Sequence, residues 1–257
     1  MPRIKPIEHE DRLSIVEHLD ELRSRLVVCA LVFGAAFALC FWQNNLLLDI
    51  ANDPIGQGRE PITLSPAEAF TTTMTVSAYF AILLALPIVL YQLYAFVLPA
   101  FTPTEKRVAT PLLLLVPFLF IAGVVFGYFI VIPAALDFLL DFNADQFQNE
   151  IRARDYYSFV SLTLISIGAL FQMPVVILAM TKLGITTPQK LRKNRRYAIL
   201  VIAIAAAMLP GVDPVTMLIE MVPLLVLFEL SILLAAAFGR PSADAEVADR
   251  LASAEGS

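Results

Sequence analysis

Six apolar runs in this 257-residue chain are each near the length that crosses a bilayer, and this restricts the fold to a bundle of membrane-spanning helices. Hydrocarbon offers backbone amides no partner, so each run must satisfy its own as a helix. The runs are Leu26 to Trp42, Thr72 to Leu98, Val108 to Leu136, Tyr156 to Thr181, Tyr197 to Val212 and Val215 to Phe238. With 58% hydrophobic and 16% charged residues, the composition departs from that of a soluble domain. The first run follows a long charged segment and lacks a small-residue cleavage site, so it is expected to stay as a span. The expected fold is all-α: one six-span domain over residues 1–238, with an interfacial helix at about 14–25. The tail 239–257, rich in small and acidic residues, is expected to be disordered.

Orientation follows from charge. The two termini and the second and fourth loops hold 15 of the 18 Lys and Arg, leaving Arg59, Arg152 and Arg154 on the other side. The positive-inside rule then places both termini in the cytoplasm. The outer loops, roughly Gln43 to Thr71 and Asp137 to Asp155, are long enough to form an extracytoplasmic cap. The fifth and sixth runs are joined by little beyond Gly211, Val212, Asp213 and Pro214. The apolar part of the fifth, Ala198 to Val212, spans about 22 Å against a hydrocarbon core of about 30 Å. That hairpin calls for a thinned bilayer or a partner helix.

Several chemistries are excluded. Cys29 and Cys40 are eleven apart in one straight helix and cannot pair with each other. His9 and His18, the only histidines, both precede the first span, so no imidazole is available at membrane depth. No GxSxG, phosphate loop or HExxH is present. Neither an enzyme nor a metal or cofactor site is expected.

Three helix entrances read as capping boxes: Ser14 with Glu17, Ser65-Pro66-Ala67-Glu68, and Thr102-Pro103-Thr104-Glu105. Glu17, Glu68 and Glu105 therefore each have a structural use. In EHLDELRSRL, Glu17 to Leu26, the apolar stripe Ile15, Leu19, Leu22 and Leu26 leaves Glu17, Asp20, Glu21 and Ser24 on the other face. Carboxylates on the side of the membrane that collects cations invite cationic ligands. Two readings stay open for Glu21: an i,i+4 pair with Arg25, or a ligand site.

EHLDELRSRL, together with LYQLYAFVLPAFTPTEKR (Leu90 to Arg107) and GITTPQKLRKNRRY (Gly184 to Tyr197), resembles the TatC family in order and spacing. Asp53-Pro54, Pro66 with Glu68 and Phe70, Pro174, Asp213 and Leu227-Phe228-Glu229 agree with it. The resemblance implies a concave, glove-like six-span core subunit of the twin-arginine translocase. Such a subunit exports folded proteins on the proton-motive force and assembles with TatA, TatB and further copies of itself. It also implies that twin-arginine signal peptides dock at Glu21 and Glu105, with Leu22, Arg23, Phe96, Lys106 and Arg107 supporting. Two carboxylates on separate helix entrances suit two planar guanidinium forks, which Lys does not reproduce. Pro54 and Glu68 fall in the extracytoplasmic cap.

The chain departs from the family at Phe171-Gln172-Met173-Pro174, where a glutamate is usual; Gln172 cannot ionise. Glu220 and Glu229 lie within the last span, where acids are functional by default. The resemblance places a TatA or TatB helix against the last hairpin, near Asp213, Met217 and Glu220. The family's polar residue near Met217 is absent here, and Glu220 is expected to stand in for it. The alternative function is a secondary transporter or proton channel using Gln172, Glu220 and Glu229 as its path.

Overall fold

The computed structural model describes residues 10–56, 59–97, 103–142, 144, 150–182, 184–210 and 213–238, with side chains for all except 10–18, 97, 103–114, 182 and 238. The expected tail and the Thr102 cap lie outside the described residues. Helix α1, Glu10–Trp42, is followed by α2, Asn44–Asn52, and a short 3-10 turn, Asp53–Ile55. Helix α3, Pro66–Val97, returns. Helix α4, Pro103–Phe126, then runs through a π-helical turn, Gly127–Val131, into α5, Ile132–Asp141. Helices α6, Ala153–Leu170, and α7, Met173–Lys182, form the next traverse. A short α8, Pro188–Lys193, leads into α9, Arg195–Ala207, and α10, Pro214–Phe238, ends the described chain.

Five stretches of the described residues are long and apolar enough to cross a membrane: Leu19–Trp42, Pro66–Phe96, Leu115–Asp141, Ala153–Thr181 and Pro214–Ala237. The remaining apolar run forms α9, whose 13 residues reach only about 20 Å. It stops at Ala207, short of the expected Val212, because Pro210 disfavours helix in the residue before it and the chain turns over Met208 and Leu209.

Two helix starts need correction. Among the described residues, helix α1 passes Ser14 without a break, so Ser14 is not an entrance cap and the segment 14–25 is continuous with the first span. At α3, the Glu68 amide bonds the Ser65 carbonyl at 3.0 Å, not its hydroxyl. The Glu68 carboxylate reaches back past the cap to the Leu64 amide at 2.9 Å.

The fourth traverse is interrupted at Phe171 and Gln172. Pro174 has no N–H to donate and its ring would clash with the Leu170 carbonyl, so the first helix ends there and another begins. After α7, Gly184 takes φ +74° and lets the Ile185 amide return to the Met180 carbonyl at 3.0 Å. This closes the helix and aims the chain into α8.

Packing is helix on helix: α1 lies on α3, α3 on α4 and α6, and α10 on α7 and α9. Helices α4 and α6 meet at two glycines. A Cβ on Gly168 would lie 2.6 Å from the Phe120 ring, and one on Gly123 would lie 2.8 Å from Phe171. Without a hydrophobic drive between helices in lipid, such close approach supplies the dispersion that holds them.

The end opposite the helix α1 start is closed by polar contacts. Tyr128 and Tyr156 hydroxyls donate to the Ile50 and Ala51 carbonyls at 2.8 and 2.6 Å, and Tyr157 donates to Asn52 Oδ1 at 2.9 Å. These carbonyls end α2 and have no helical donor, so the tyrosines satisfy them. Ile62 pairs with the Ile151 to Ala153 backbone through two 2.8 Å bonds. Beside it, Arg152 Nε lies 2.7 Å from Glu68 Oε1. Glu68 is thus the buried tie between the loop before α3 and the loop before α6, and Pro54 sits half-buried in the 3-10 turn. The carboxylate raises the Arg152 pKa above its ordinary value.

Candidate functional site

The face of α1 that meets α3 is polar at its beginning. Arg25 donates through Nε and Nη2 to Glu21 Oε1 at 3.1 and 2.6 Å, through Nη1 to Gln92 Oε1 at 2.8 Å, and through Nη2 to the Ala95 carbonyl at 3.4 Å. Both charged side chains are partly sheltered, at 24% and 34% exposure. Of the two readings of Glu21, the helical pair with Arg25 is present, and the pair is bound in turn to α3.

The leucine stripe and Glu21 lie on different faces of this helix, and it is the Glu21 face that packs inward. Leu19, Leu22 and Leu26 are exposed, at 59%, 44% and 67%, while Glu21, Arg25, Ala36 and Cys40 turn inward. In a membrane the leucines lose nothing by facing lipid, whereas carboxylate and guanidinium need partners, so polar groups take the helix contact. Arg23 is exposed and Phe96, at the end of α3, is half-buried. Glu105, Lys106 and Arg107 stand in the first turn of α4, which starts at Pro103. Their side chains lie outside the described residues. Gln92 was missed in the sequence as a guanidinium acceptor, although it sits within Leu90 to Phe96, LYQLYAF. A polar residue in an otherwise apolar span was the available signal.

The intramembrane polar groups do not form a path. Gln172 Nε2 donates to the Val116 carbonyl at 3.2 Å, which holds the α6–α7 break against α4, and its Oε1 has no partner among the described residues. Glu229 pairs with Arg195 at 2.7 Å, joining α10 to the start of α9. Glu220 is 3% exposed and its Oε1 has no partner among the described residues. It faces a cavity of only about 10 Å³ walled by Phe126, Ile167, Phe171, Leu209 and Leu224. No hydrogen bond among the described residues connects Gln172, Glu220 and Glu229, and the two glutamates are nine positions apart along the helix, about 14 Å.

The residues expected to meet a partner helix at the last hairpin differ in exposure. Asp213 is buried and caps α10, its Oδ1 accepting the Thr216 amide at 2.7 Å. Asp213, Thr216, Glu220, Leu224, Leu227 and Ser231 follow one helical stripe, and that stripe packs inward. Glu220 is thus buried within the chain, whereas Met217 is half-buried and Leu218 and Val222 face outward.

These features define an all-helical, polytopic membrane protein with an open apolar groove of about 510 Å³ beside α3 and α4. Residues 17–223 match the TatC family, described as Sec-independent protein translocase protein. A Sec-independent protein translocase protein TatC of Desulforapulum autotrophicum is 36% identical over 235 residues, covering 90% of this chain and 87% of the relative. A chloroplastic relative of the same description from Arabidopsis thaliana is 34% identical over 229 residues, covering 88% of this chain and 67% of its own length. The crystal structure of the twin arginine translocase receptor TatC in DDM superimposes with a TM-score of 0.74 at 34% identity, covering 87% of this chain and all of that one. The chain belongs to the TatC family. That family consists of protein-translocase components of membranes rather than enzymes.

Proposed function

We propose that this chain is the receptor and core subunit of a twin-arginine translocase, with Glu21 and Glu105 receiving the two arginines of a signal peptide. The carrying observation is that Glu21 already binds a guanidinium, with Gln92 Oε1 and the Ala95 carbonyl completing its acceptors. The site thus has the acceptor set that suits the donor fork of a guanidinium and favours arginine over lysine. Glu105 opens the helix that follows α3 in the chain, as a second receptor carboxylate would require. Leu22, Arg23, Phe96, Lys106 and Arg107 border it in sequence. Partial shelter matters, because a fully exposed ion pair contributes only about 0.2–1 kcal/mol and selects poorly.

Crosslinking of an Arg-Arg signal peptide to Glu21→Gln, Glu105→Gln and Glu105→Ala variants tests the assignment, with expression matched and a Lys-Lys peptide as the comparison. The expected result is strong loss in each variant and weak capture of Lys-Lys. Undiminished crosslinking in the Glu21 and Glu105 variants alike would sink it.

The partners follow from the same reading. A single-span TatA or TatB helix rests on the outward face of α10 beside Met217, where it would relieve the shortness of α9. Cysteines placed at Met217 and Leu218 should crosslink to such a helix; no adduct at either position refutes the contact. The membrane is the cytoplasmic membrane of a prokaryote, with both termini inside, as the distribution of Lys and Arg directs. Residues 1–238 act as one domain and assemble with further copies. A transporter or proton channel through Gln172, Glu220 and Glu229 finds no support in their separate environments.

A further inference from the structure

The motif from Gly184 to Tyr197 takes no part in the proposed receptor site, yet it builds the most cationic elbow among the described residues. Thr187 caps α8, its hydroxyl accepting the Lys190 amide at 3.3 Å, and Pro188 is buried beneath it. The helix breaks at Asn194 and α9 starts at once. Of the five cations on this elbow, Arg195 is held by Glu229, and Arg196 lies 4.7 Å over the Tyr197 ring with Nη2 3.0 Å from its hydroxyl. Lys190, Arg192 and Lys193 have no carboxylate partner among the described residues.

Beneath the elbow, between α7, α9 and α10, runs an open groove of about 450 Å³. Its mouth carries Thr186, Lys190, Asn194 and Tyr197, and its walls are apolar, with Ile177, Met180, Val201 and Phe228. Val201 is 63% exposed, so the wall continues into the lipid-facing surface of α9.

We propose that this groove is a binding site for one anionic glycerophospholipid, its phosphate at Lys190, Asn194 and Tyr197 and an acyl chain along Met180, Val201 and Phe228. Three arguments select this occupant. The rim has surplus positive charge, which a zwitterionic headgroup answers poorly because it brings its own ammonium. The walls offer no partners for backbone amides, so an acidic peptide segment would leave its N–H and C=O groups unsatisfied there, whereas an acyl chain brings none. Basic pockets between spanning helices at a membrane surface are the usual site of anionic headgroup capture.

Native mass spectrometry of the full chain released from detergent, with phosphatidylglycerol and phosphatidylcholine of matched acyl chains, provides the test. Wild type should retain phosphatidylglycerol preferentially. Lys190→Gln should cut that preference roughly fivefold, as expected for one cation near a headgroup, and Lys190→Arg should restore it. Ala198→Phe, which fills the groove wall, should lose both lipids from the site while keeping its thermal transition. An unchanged preference in Lys190→Gln, lipid retained in Ala198→Phe, or displacement of the lipid by equimolar glycerol phosphate would each overturn the proposal. The last of these would mark a site for free phosphate.

Discussion

At the scale of single residues, an acid is tolerated inside this protein according to what faces it. Glu21 meets a guanidinium, Glu68 meets Arg152 and a backbone amide, and Glu229 meets Arg195. Glu220 meets phenylalanine, leucine and isoleucine, and one of its oxygens has no donor among the described residues. A buried polar group lacking its bond costs about 1–3 kcal/mol, and an apolar side chain of similar shape relieves that cost. Methionine fits irregular apolar gaps. Glu220→Met is therefore expected to raise unfolding stability in detergent by about 1–3 kcal/mol and to leave signal-peptide capture unchanged. A lower thermal transition would show that the carboxylate has a partner essential to the fold. The sequence identified Glu220 as unusual and expected it against a partner helix, whereas within this chain it is buried. Its burial follows the stripe of α10 that meets the bundle, and the polar residues Asp213, Thr216, Glu220 and Ser231 at helical spacing were the available signal for that stripe. In α1, likewise, the stripe of Leu19, Leu22 and Leu26 did not say which way it faces; it is exposed, and Glu21 with Arg25 meets α3.

Among the elements, the helices were most legible in the sequence where punctuation was explicit. Pro66, Pro103 and Pro214 open α3, α4 and α10, and Pro174 marks the α6–α7 break. The α4–α6 crossing had no such sign, because glycine within an apolar run reads as a weak helix former until its neighbour is known. Gly168 is required by the Phe120 ring. A methyl there would sit 2.6 Å from Cε2, and Phe120, being fully buried with Gly123 and Phe171 locked alongside, has nowhere to go. Overpacking of this kind typically costs about 1–3 kcal/mol. Gly168→Ala should lower the thermal transition in detergent accordingly, while Gly34→Ala, where nothing lies within 4 Å, should leave it level or slightly higher. Equal transitions for both variants would mean that the two helices separate readily and that the crossing contributes little.

For the whole molecule the lengths of its spans do not agree, and the membrane must adjust. Helices α3 and α10 have 32 and 25 residues, about 48 and 38 Å, whereas α9 has 13 and about 20 Å. The long helices meet a core of about 30 Å by tilting, but α9 cannot stretch. Met208, at its end, is 81% exposed and is followed by a turn that carries polar backbone. Backbone of this kind is not stable against hydrocarbon, so headgroups and water must come down to the hairpin, or a partner helix must cover it. Met208→Cys in a Cys29→Ser, Cys40→Ser background gives a direct reading. The cysteine should react with a membrane-impermeant maleimide applied from outside intact cells, even though it lies in a run whose hydropathy predicts full burial. In proteoliposomes the same reaction should persist as the lipid acyl chains are lengthened, because the protein itself sets the local thickness. Reaction that slows with longer chains would show instead that the bilayer rises over the hairpin. Labelling only from the cytoplasmic side would reverse the orientation inferred from the basic loops, and no labelling from either side would show α9 to be immersed despite its length.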